Sequence, residues 1–201
     1  MNYQFINGPV GALQVLEEKT HAEPAAVAVI CHPHPLYGGS LSNKVVHQLA
    51  KTFRELGAVS VRFNFRGVGE SEGKFDEGRG EVEDLVAVAS WAVERWPGLQ
   101  LWLAGFSFGG FIALRAAQRL QPRRLVTVAP AVNYFPAEPL QLPPLDWLLI
   151  QGDSDDIVPA DRVMTWLESQ SAQPRLVLLE GVDHFFHGRL NSLRQTLIDA
   201  L

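Results

Sequence analysis

Cysteine is nearly absent from this chain, long apolar runs are missing, and positive charge does not cluster. A single cysteine among 201 residues excludes an intrachain disulfide framework. No apolar run approaches the roughly 20 residues of a membrane-spanning helix. The N-terminal stretch MNYQFINGPVG lacks the basic start and apolar core of a signal peptide. Because the net charge is −5 and no basic stripe occurs, binding to nucleic acid or to membranes is not expected.

These absences leave a cytoplasmic protein as the expectation. A length of 201 residues is within the usual range for one α/β domain. We therefore expect residues 1–201 to form a single domain, present as a monomer or a homodimer.

Short β-rich runs alternate with helical patterns along the chain. Most of the runs are continuously apolar, as in strands that are covered on both faces. The predicted strands lie at 26–31, 59–65, 99–105, 124–129, 146–152 and 175–181, after an N-terminal hairpin, and the predicted helices at 43–56, 79–96, 108–120, 161–170 and 189–201. This order predicts an α/β fold whose mostly parallel sheet of about eight strands has helices on both faces. Ligands bind such sheets at the carboxyl ends of the strands.

The strand at 99–105 runs into GFSFGG, which matches G-x-S-x-G with Ser107 at its centre. A serine on a tight turn from strand to helix exposes its hydroxyl, and the flanking glycines allow close backbone packing. The backbone N–H of Phe108 lies at the start of the following helix, where it favours a developing oxyanion. The alternative is a structural glycine-rich turn with a chance serine.

A serine hydroxyl is a weak nucleophile until a base takes its proton. Two histidines, His184 and His187, follow the strand at 175–181, and three aspartates, Asp153, Asp155 and Asp156, follow the strand at 146–152. The chain order of serine, acid and histidine is the order of the α/β-hydrolase arrangement. An EF-hand calcium loop would need a longer series of ligands that ends in glutamate, and these aspartates are not part of such a series.

These motifs resemble those of the α/β-hydrolase family over nearly the whole chain. The resemblance rests on GFSFGG, NFRGVGESEG, GDSDDIVP and GVDHFF, and it is closest to small, lid-poor bacterial members with an HPHP loop. It implies an α/β-hydrolase fold with minimal or no cap and a serine hydrolase whose nucleophile is Ser107. It further implies His184 as the base. The family pattern at this position resembles G-x-x-D-x-x-V-P. Aligned on Gly152 and Pro159, it implies Asp155 as the acid that orients the histidine.

The chain departs from the family pattern at two places. Asn64 stands where many members have aspartate. In hydrolases that resemble this one, the NFRGVGESEG loop supports the nucleophile turn, so the resemblance implies a structural role for Asn64 and Arg66, with a substrate contact as the alternative. The loop lacks the residue order of a phosphate-binding loop. His32-Pro33-His34 stands where relatives carry His-Gly-x. The resemblance implies the backbone N–H of His34 as the second oxyanion donor, and Leu36 remains the alternative because proline has no N–H.

The segment CHPHPLYGGS also has the composition of a metal site. However, Cys31, His32 and His34 are too close in an extended segment to converge on one ion, and no second Cys/His cluster with zinc spacing follows. We therefore predict neither a metal nor any other cofactor, and we expect His32 to brace the loop.

Several large side chains are predicted to surround Ser107 and to form an apolar acyl pocket. The predicted substrate-binding residues are Leu36, Tyr37, Phe106, Tyr134 and Phe185, with Phe108 and Phe135 nearby. The segment between the strands at 124–129 and 146–152 is too short and proline-rich for a folded lid, which favours small or medium substrates. The sequence thus predicts a carboxylic ester hydrolase acting on a small-molecule acyl substrate. A thioesterase, a peptidase or a non-catalytic binding protein remains the alternative.

Overall fold

A computed structural model describes residues 3–20, 23–132 and 140–201. Within these residues eight strands form one sheet, in the order β1-β2-β4-β3-β5-β6-β7-β8. The strands are β1 (Gln4–Gly8), β2 (Gly11–Glu18), β3 (Ala26–Cys31), β4 (Ala58–Phe63), β5 (Gln100–Phe106), β6 (Arg124–Val128), β7 (Asp146–Gly152) and β8 (Arg175–Leu179). β2 pairs antiparallel with both β1 and β4, and the pairs from β4 to β8 are parallel. The carboxyl ends of the parallel strands therefore share one edge.

Helices cover both faces of the sheet. They are α1 (Lys44–Glu55), α2 (Arg79–Arg95), α3 (Phe108–Leu120), α4 (Ala160–Glu168) and α5 (Leu190–Ala200). Apolar residues of α2, α3 and α4 join one core cluster, and those of α1 and α5 join the cluster on the other face. All six residues of β3 are buried, as expected for a central strand covered on both faces.

The first helix shows how sequence sets these elements. Asn43 caps α1, since its Oδ1 accepts hydrogen bonds from the amides of Val45 and Val46 at 2.9 and 3.4 Å. The helix then buries apolar side chains at helical spacing, among them Leu49 and Phe53. Burying each such side chain contributes roughly 1.5–3 kcal/mol.

The predicted fold class is confirmed, and α3 has the predicted bounds. β4 ends two residues earlier than predicted because the amide of Phe65 donates to the His32 ring instead of a neighbouring strand. A 3-10 turn at Pro35–Tyr37 was not predicted. In the parts of the chain that the structure describes, no helix has both the length and the apolar character to cross a membrane.

Candidate active site

Ser107 occupies a strained turn between β5 and α3. Its φ of 55° and ψ of −119° are rare for a residue with a side chain, and such strain is concentrated at functional sites. Its amide donates to the carbonyl of Val128 at 2.9 Å, which ties the turn to β6. The residue is 7% exposed. The turn therefore holds one hydroxyl in a fixed place at the carboxyl edge of the sheet.

Glycines permit the backbone contacts that this turn requires. A Cβ on Gly109 would lie 2.4 Å from the carbonyl oxygen of Cys31 and 2.5 Å from that of His32. A Cβ on Gly105 would lie 2.1 Å from the carbonyl oxygen of Gly109. Because these neighbours are backbone atoms, they cannot move aside for a side chain. The glycines thus bring the start of α3 against the segment that follows β3.

The hydroxyl of Ser107 lies beside the ring of His184. Oγ of Ser107 is 3.0 Å from Nε2 of His184, and Nδ1 of His184 is 2.7 Å from Oδ2 of Asp155. His184 is 3% exposed and Asp155 is 5% exposed. An ionised carboxylate can only accept, so Nδ1 carries the proton and Nε2 is left to accept from the serine hydroxyl. The structure thus brings together the three side chains that the sequence predicts as nucleophile, base and acid.

Asp155 is fixed by the backbone that follows it. Its Oδ1 accepts from the amides of Ile157 and Val158 at 3.0 and 2.7 Å. Its Oδ2 accepts from Nε2 of Gln151 at 3.1 Å in addition to facing His184. Gln151 is fully buried and is not among the residues predicted from the sequence. The sequence feature that could have indicated its role is a polar side chain near the end of an otherwise buried, apolar strand.

The other candidates for the acid and the base, which are Asp153, Asp156 and His187, lie away from Ser107. Oδ1 of Asp153 accepts from the amide of Gly181 at 2.8 Å and so links the ends of β7 and β8, while Asp156 is exposed. His187 has a side chain that is 66% exposed, and its Nδ1 lies 2.5 Å from Oδ2 of Asp183. The pKa of Asp183 is lowered, mainly by the hydrogen bond from the His187 amide. None of these groups contacts Ser107.

His32 braces the segment after β3, as predicted. Its Nδ1 donates to the carbonyl of Pro33 at 2.6 Å, and its Nε2 accepts from the amide of Phe65 at 3.1 Å. Burial lowers the pKa of His32 to about 4, so the ring is neutral near pH 7. Cys31 is buried in the core, and burial raises the pKa of its thiol. Across the described residues, no group of histidine, cysteine and acidic side chains is arranged to hold a metal.

The amides of His34 and Leu36, the two predicted oxyanion donors, differ in their hydrogen-bond partners. The amide of Leu36 donates to Nδ1 of His34 at 3.2 Å and is therefore engaged. The amides of Tyr37 and Gly39 donate to the carbonyl of His34 at 3.1 and 3.0 Å. For the amide of His34 itself, the described part of the chain offers no hydrogen-bond acceptor. Among the described residues, the N–H of Leu36 therefore has a hydrogen-bond acceptor, and that of His34 has none.

A cavity of about 1140 Å³ opens beside Ser107. Near the serine its wall is largely aromatic and aliphatic, formed by His34, Tyr37, Phe75, Phe108, Phe111, Ala131 and Ile157. The remaining wall carries charge, with Glu77, Arg79, Glu83, Arg115 and Arg119. Of the predicted substrate-binding residues, Tyr37 lines this cavity. Phe75, Phe111 and the charged part of the wall are not among the residues predicted from the sequence.

One predicted pocket residue, Phe106, requires correction, and two others lie outside the wall of this cavity. Phe106 is fully buried on the face of the sheet covered by α1 and α5, and its ring packs 5.1 Å from that of His184. Leu36 is 67% exposed and is not part of the cavity wall. Phe185 packs edge-on to His184 at 5.2 Å, outside the cavity. Tyr134 and Phe135 lie outside the described residues.

Asn64 and Arg66 have structural partners, as predicted. Oδ1 of Asn64 accepts from the amide of Leu41 at 2.8 Å, and its Nδ2 donates to Oε1 of Gln14 at 2.7 Å. The Arg66 guanidinium donates to both oxygens of the fully buried Asp84. This pairing anchors the loop that leads from β4 to α2, and part of that loop forms the cavity wall.

The strand order, the turn at Ser107 and the sequence of serine, aspartate and histidine along the chain define an α/β hydrolase. Residues 22–145 match the family described as serine aminopeptidase, S33, and the chain belongs to this family.

Similar proteins agree with this assignment. The chain is 44% identical to the protein XC6422 of Xanthomonas campestris, described as an α/β serine hydrolase without a lid, with a TM-score of 0.94 over 99% of this chain and 92% of that one. It is also 44% identical to an α/β serine hydrolase homologue of Coxiella burnetii, with a TM-score of 0.94 over 100% and 97% of the two chains. The uncharacterized protein RP471 of Rickettsia prowazekii is 35% identical, over 98% of this chain and 87% of that protein.

Proposed function

We propose that this α/β serine hydrolase cleaves small or medium carboxylic esters through an acyl-enzyme on Ser107. The observation that carries the proposal is the pair of hydrogen bonds at His184, 3.0 Å to Ser107 Oγ and 2.7 Å to Asp155 Oδ2. Nε2 faces a hydroxyl that can give up its proton, and Nδ1 faces a carboxylate that can accept a hydrogen bond. Proton transfer from serine to histidine requires both partners.

In the proposed reaction, Oγ of Ser107 attacks the acyl carbon while Nε2 of His184 takes the hydroxyl proton. The amides of Phe108 and His34 donate to the oxyanion. The tetrahedral intermediate then collapses, and the alcohol leaves with the proton from His184. Water attacks the acyl-serine, its proton passes to His184 and on to Ser107 Oγ, and the acid is released. Asp155 keeps the imidazole in its tautomer and stabilises the imidazolium, and no cofactor takes part.

The cavity favours esters over peptides. An aminopeptidase has to bind the ammonium group of its substrate, and a carboxylate is the usual partner of that group. Glu77 lies 3.5 Å from Nη2 of Arg79, and Glu83 pairs with Arg119, so both cavity carboxylates already have cationic partners. The wall nearest Ser107 is apolar, which suits an acyl chain.

The experiment compares p-nitrophenyl acetate, a short acyl-thioester and an aminoacyl p-nitroanilide as substrates of the wild-type protein and of Ser107→Ala. Esters are expected to give the highest kcat/KM, and the substitution is expected to reduce it by at least ~10³-fold. Full turnover by Ser107→Ala would reject the triad. Hydrolysis of the anilide in preference to the ester would instead support a peptidase. His187→Ala is the matched control for His184→Ala. Only the His184 substitution is expected to abolish activity.

A further inference from the structure

One face of α3 runs from the candidate nucleophile into the charged part of the cavity. Phe108, Phe111, Arg115 and Arg119 follow one another at intervals of three or four residues, and all four line the cavity. The Cα of Arg115 lies about 10 Å along the helix from that of Phe108. Long side chains on helices lean towards the N-terminus. The guanidinium of Arg115 accordingly reaches back to within 5.8 Å of the Phe111 ring centroid.

Arg115 differs from the other cavity arginines in its partners. Arg119 pairs with Glu83, and Arg79 lies 3.5 Å from both Asp76 and Glu77. For Arg115, the described residues provide the ring of Phe111 and no carboxylate. Among the described residues, the cavity wall includes three arginines and two glutamates, and the two glutamates lie beside Arg79 and Arg119. The unpaired charge is that of Arg115.

The acyl part of an ester is the part that fits this cavity. The leaving alcohol has to lie beside Nε2 of His184, because that atom supplies its proton. His184 and Phe185 are not part of the cavity wall, whereas Ser107 and both proposed oxyanion residues are. With the leaving group on the His184 side, the acyl chain extends along α3 past Phe108 and Phe111. Its far end then approaches the guanidinium of Arg115.

We propose that Arg115 is a specificity-determining residue that binds a carboxylate at the far end of the acyl chain, so that half-esters of medium-chain dicarboxylic acids are preferred substrates. This proposal rests on the proposed esterase function. A monoanion matches the one cavity guanidinium without a carboxylate partner among the described residues, whereas a dianion such as a phosphonate would need a second cation, and Arg79 and Arg119 already face glutamates. The guanidinium lies over the Phe111 ring, with Cζ 5.8 Å from the ring centroid, and its paired N–H groups match both carboxylate oxygens.

The test measures kcat/KM for p-nitrophenyl esters of adipic and suberic acid whose far end is a carboxylate, a neutral carboxamide or a phosphonate. The wild-type protein is expected to prefer the carboxylate over the carboxamide by about tenfold, and this preference should decrease as salt is raised. Arg115→Gln is expected to abolish the preference, and Arg115→Lys to retain part of it. Arg123→Gln is the matched control, because Arg123 is an exposed arginine that does not line the cavity.

Equal turnover of carboxylate and carboxamide esters by the wild-type protein would overturn the proposal. So would a preference that survives Arg115→Gln, or a phosphonate preferred over the carboxylate. Each of these results leaves the proposed ester hydrolysis in place. If no ester is turned over, the proposed function fails, and calorimetry with suberic acid monoamide then tests Arg115 directly. Binding weakened about tenfold by Arg115→Gln supports the carboxylate site, and undetectable or unchanged binding overturns it.

Discussion

Nε2 of His184 lies 3.0 Å from Oγ of Ser107, although 77 residues separate the two in the chain. The contact arises because Ser107 follows β5 and His184 follows β8, and parallel strands end at one edge of the sheet. Asp155 follows β7 at the same edge and holds the opposite ring nitrogen. Topology rather than sequence proximity thus forms the site.

Asp155→Asn tests the role of the carboxylate. The amides of Ile157 and Val158 both donate to Oδ1, so the asparagine oxygen is expected to take that position. Its NH₂ group then faces Nδ1 of His184 and forces the wrong tautomer, with the proton on Nε2. We expect kcat to fall by roughly 10³–10⁴-fold. Steady-state hydrolysis of p-nitrophenyl acetate checks this.

Asp156→Asn is the matched control, because Asp156 is the neighbouring carboxylate and is exposed. It is expected to retain wild-type kcat. An equal loss in both variants would assign the effect to loop charge rather than to the hydrogen bond at His184.

His34→Ala separates the backbone of His34 from its ring. The substitution keeps the N–H that we propose as an oxyanion donor, and it removes a ring packed 5.0 Å from both Phe75 and Phe108. We expect KM to rise and kcat to fall less than about tenfold, since loss of a donor costs about 10²–10³-fold. Comparison of kcat and KM with those of Tyr37→Ala, which removes a neighbouring ring, checks this. A kcat loss above 10²-fold in His34→Ala alone would assign a catalytic role to the imidazole.

Gly109→Ala tests the close approach of α3 to the segment after β3. The new Cβ would meet two backbone carbonyl oxygens at 2.4 and 2.5 Å. We expect the free energy of unfolding in urea to fall by about 2 kcal/mol or more, together with loss of hydrolysis. Gly110→Ala is the control, since its nearest contact is 3.1 Å, and it is expected to cost less. Equal stability of the two variants would contradict the described packing.

The buried His32 makes stability depend on pH. Burial lowers the pKa of His32 from 6.5 to about 4, so between these values the unfolded chain binds a proton that the folded protein does not. The free energy of unfolding therefore decreases as pH falls from 6.5 to 4, by about 3 kcal/mol from this group. His32→Gln has no ring to titrate and should show a correspondingly smaller decrease. Urea unfolding at several pH values checks this, and identical slopes for the two proteins would contradict it.

The strands, the helices and the position of Ser107 could be predicted from local patterns, whereas Asp155 and His184 are distinguished from the neighbouring aspartates and histidine only by the resemblance to α/β hydrolases. Apolar runs mark buried strands, and the residues of the site directly follow strands that end at a shared edge. Phe106 precedes Ser107 directly in the sequence but lies on the face covered by α1 and α5, because successive residues of a strand point to opposite faces.

The cavity wall could not be predicted in the same way. Phe75 and Glu77 come from the loop before α2, and Arg115 comes from α3. Their shared cavity depends on how that loop packs, which rests on the buried pair of Arg66 and Asp84. No local pattern in the sequence indicates this pairing. The unpaired charge of Arg115 is visible only once the partners of Arg79 and Arg119 are known.

The most direct test of the account is covalent labelling with a fluorophosphonate, followed by intact-protein and peptide mass spectrometry. A serine activated by His184 and Asp155 attacks the phosphorus and displaces fluoride, which leaves one stable adduct. We predict one adduct per chain, located on Ser107 and absent in Ser107→Ala and His184→Ala. A wild-type protein that remains unlabelled, or that carries its adduct on another residue while esters are hydrolysed, would contradict the account.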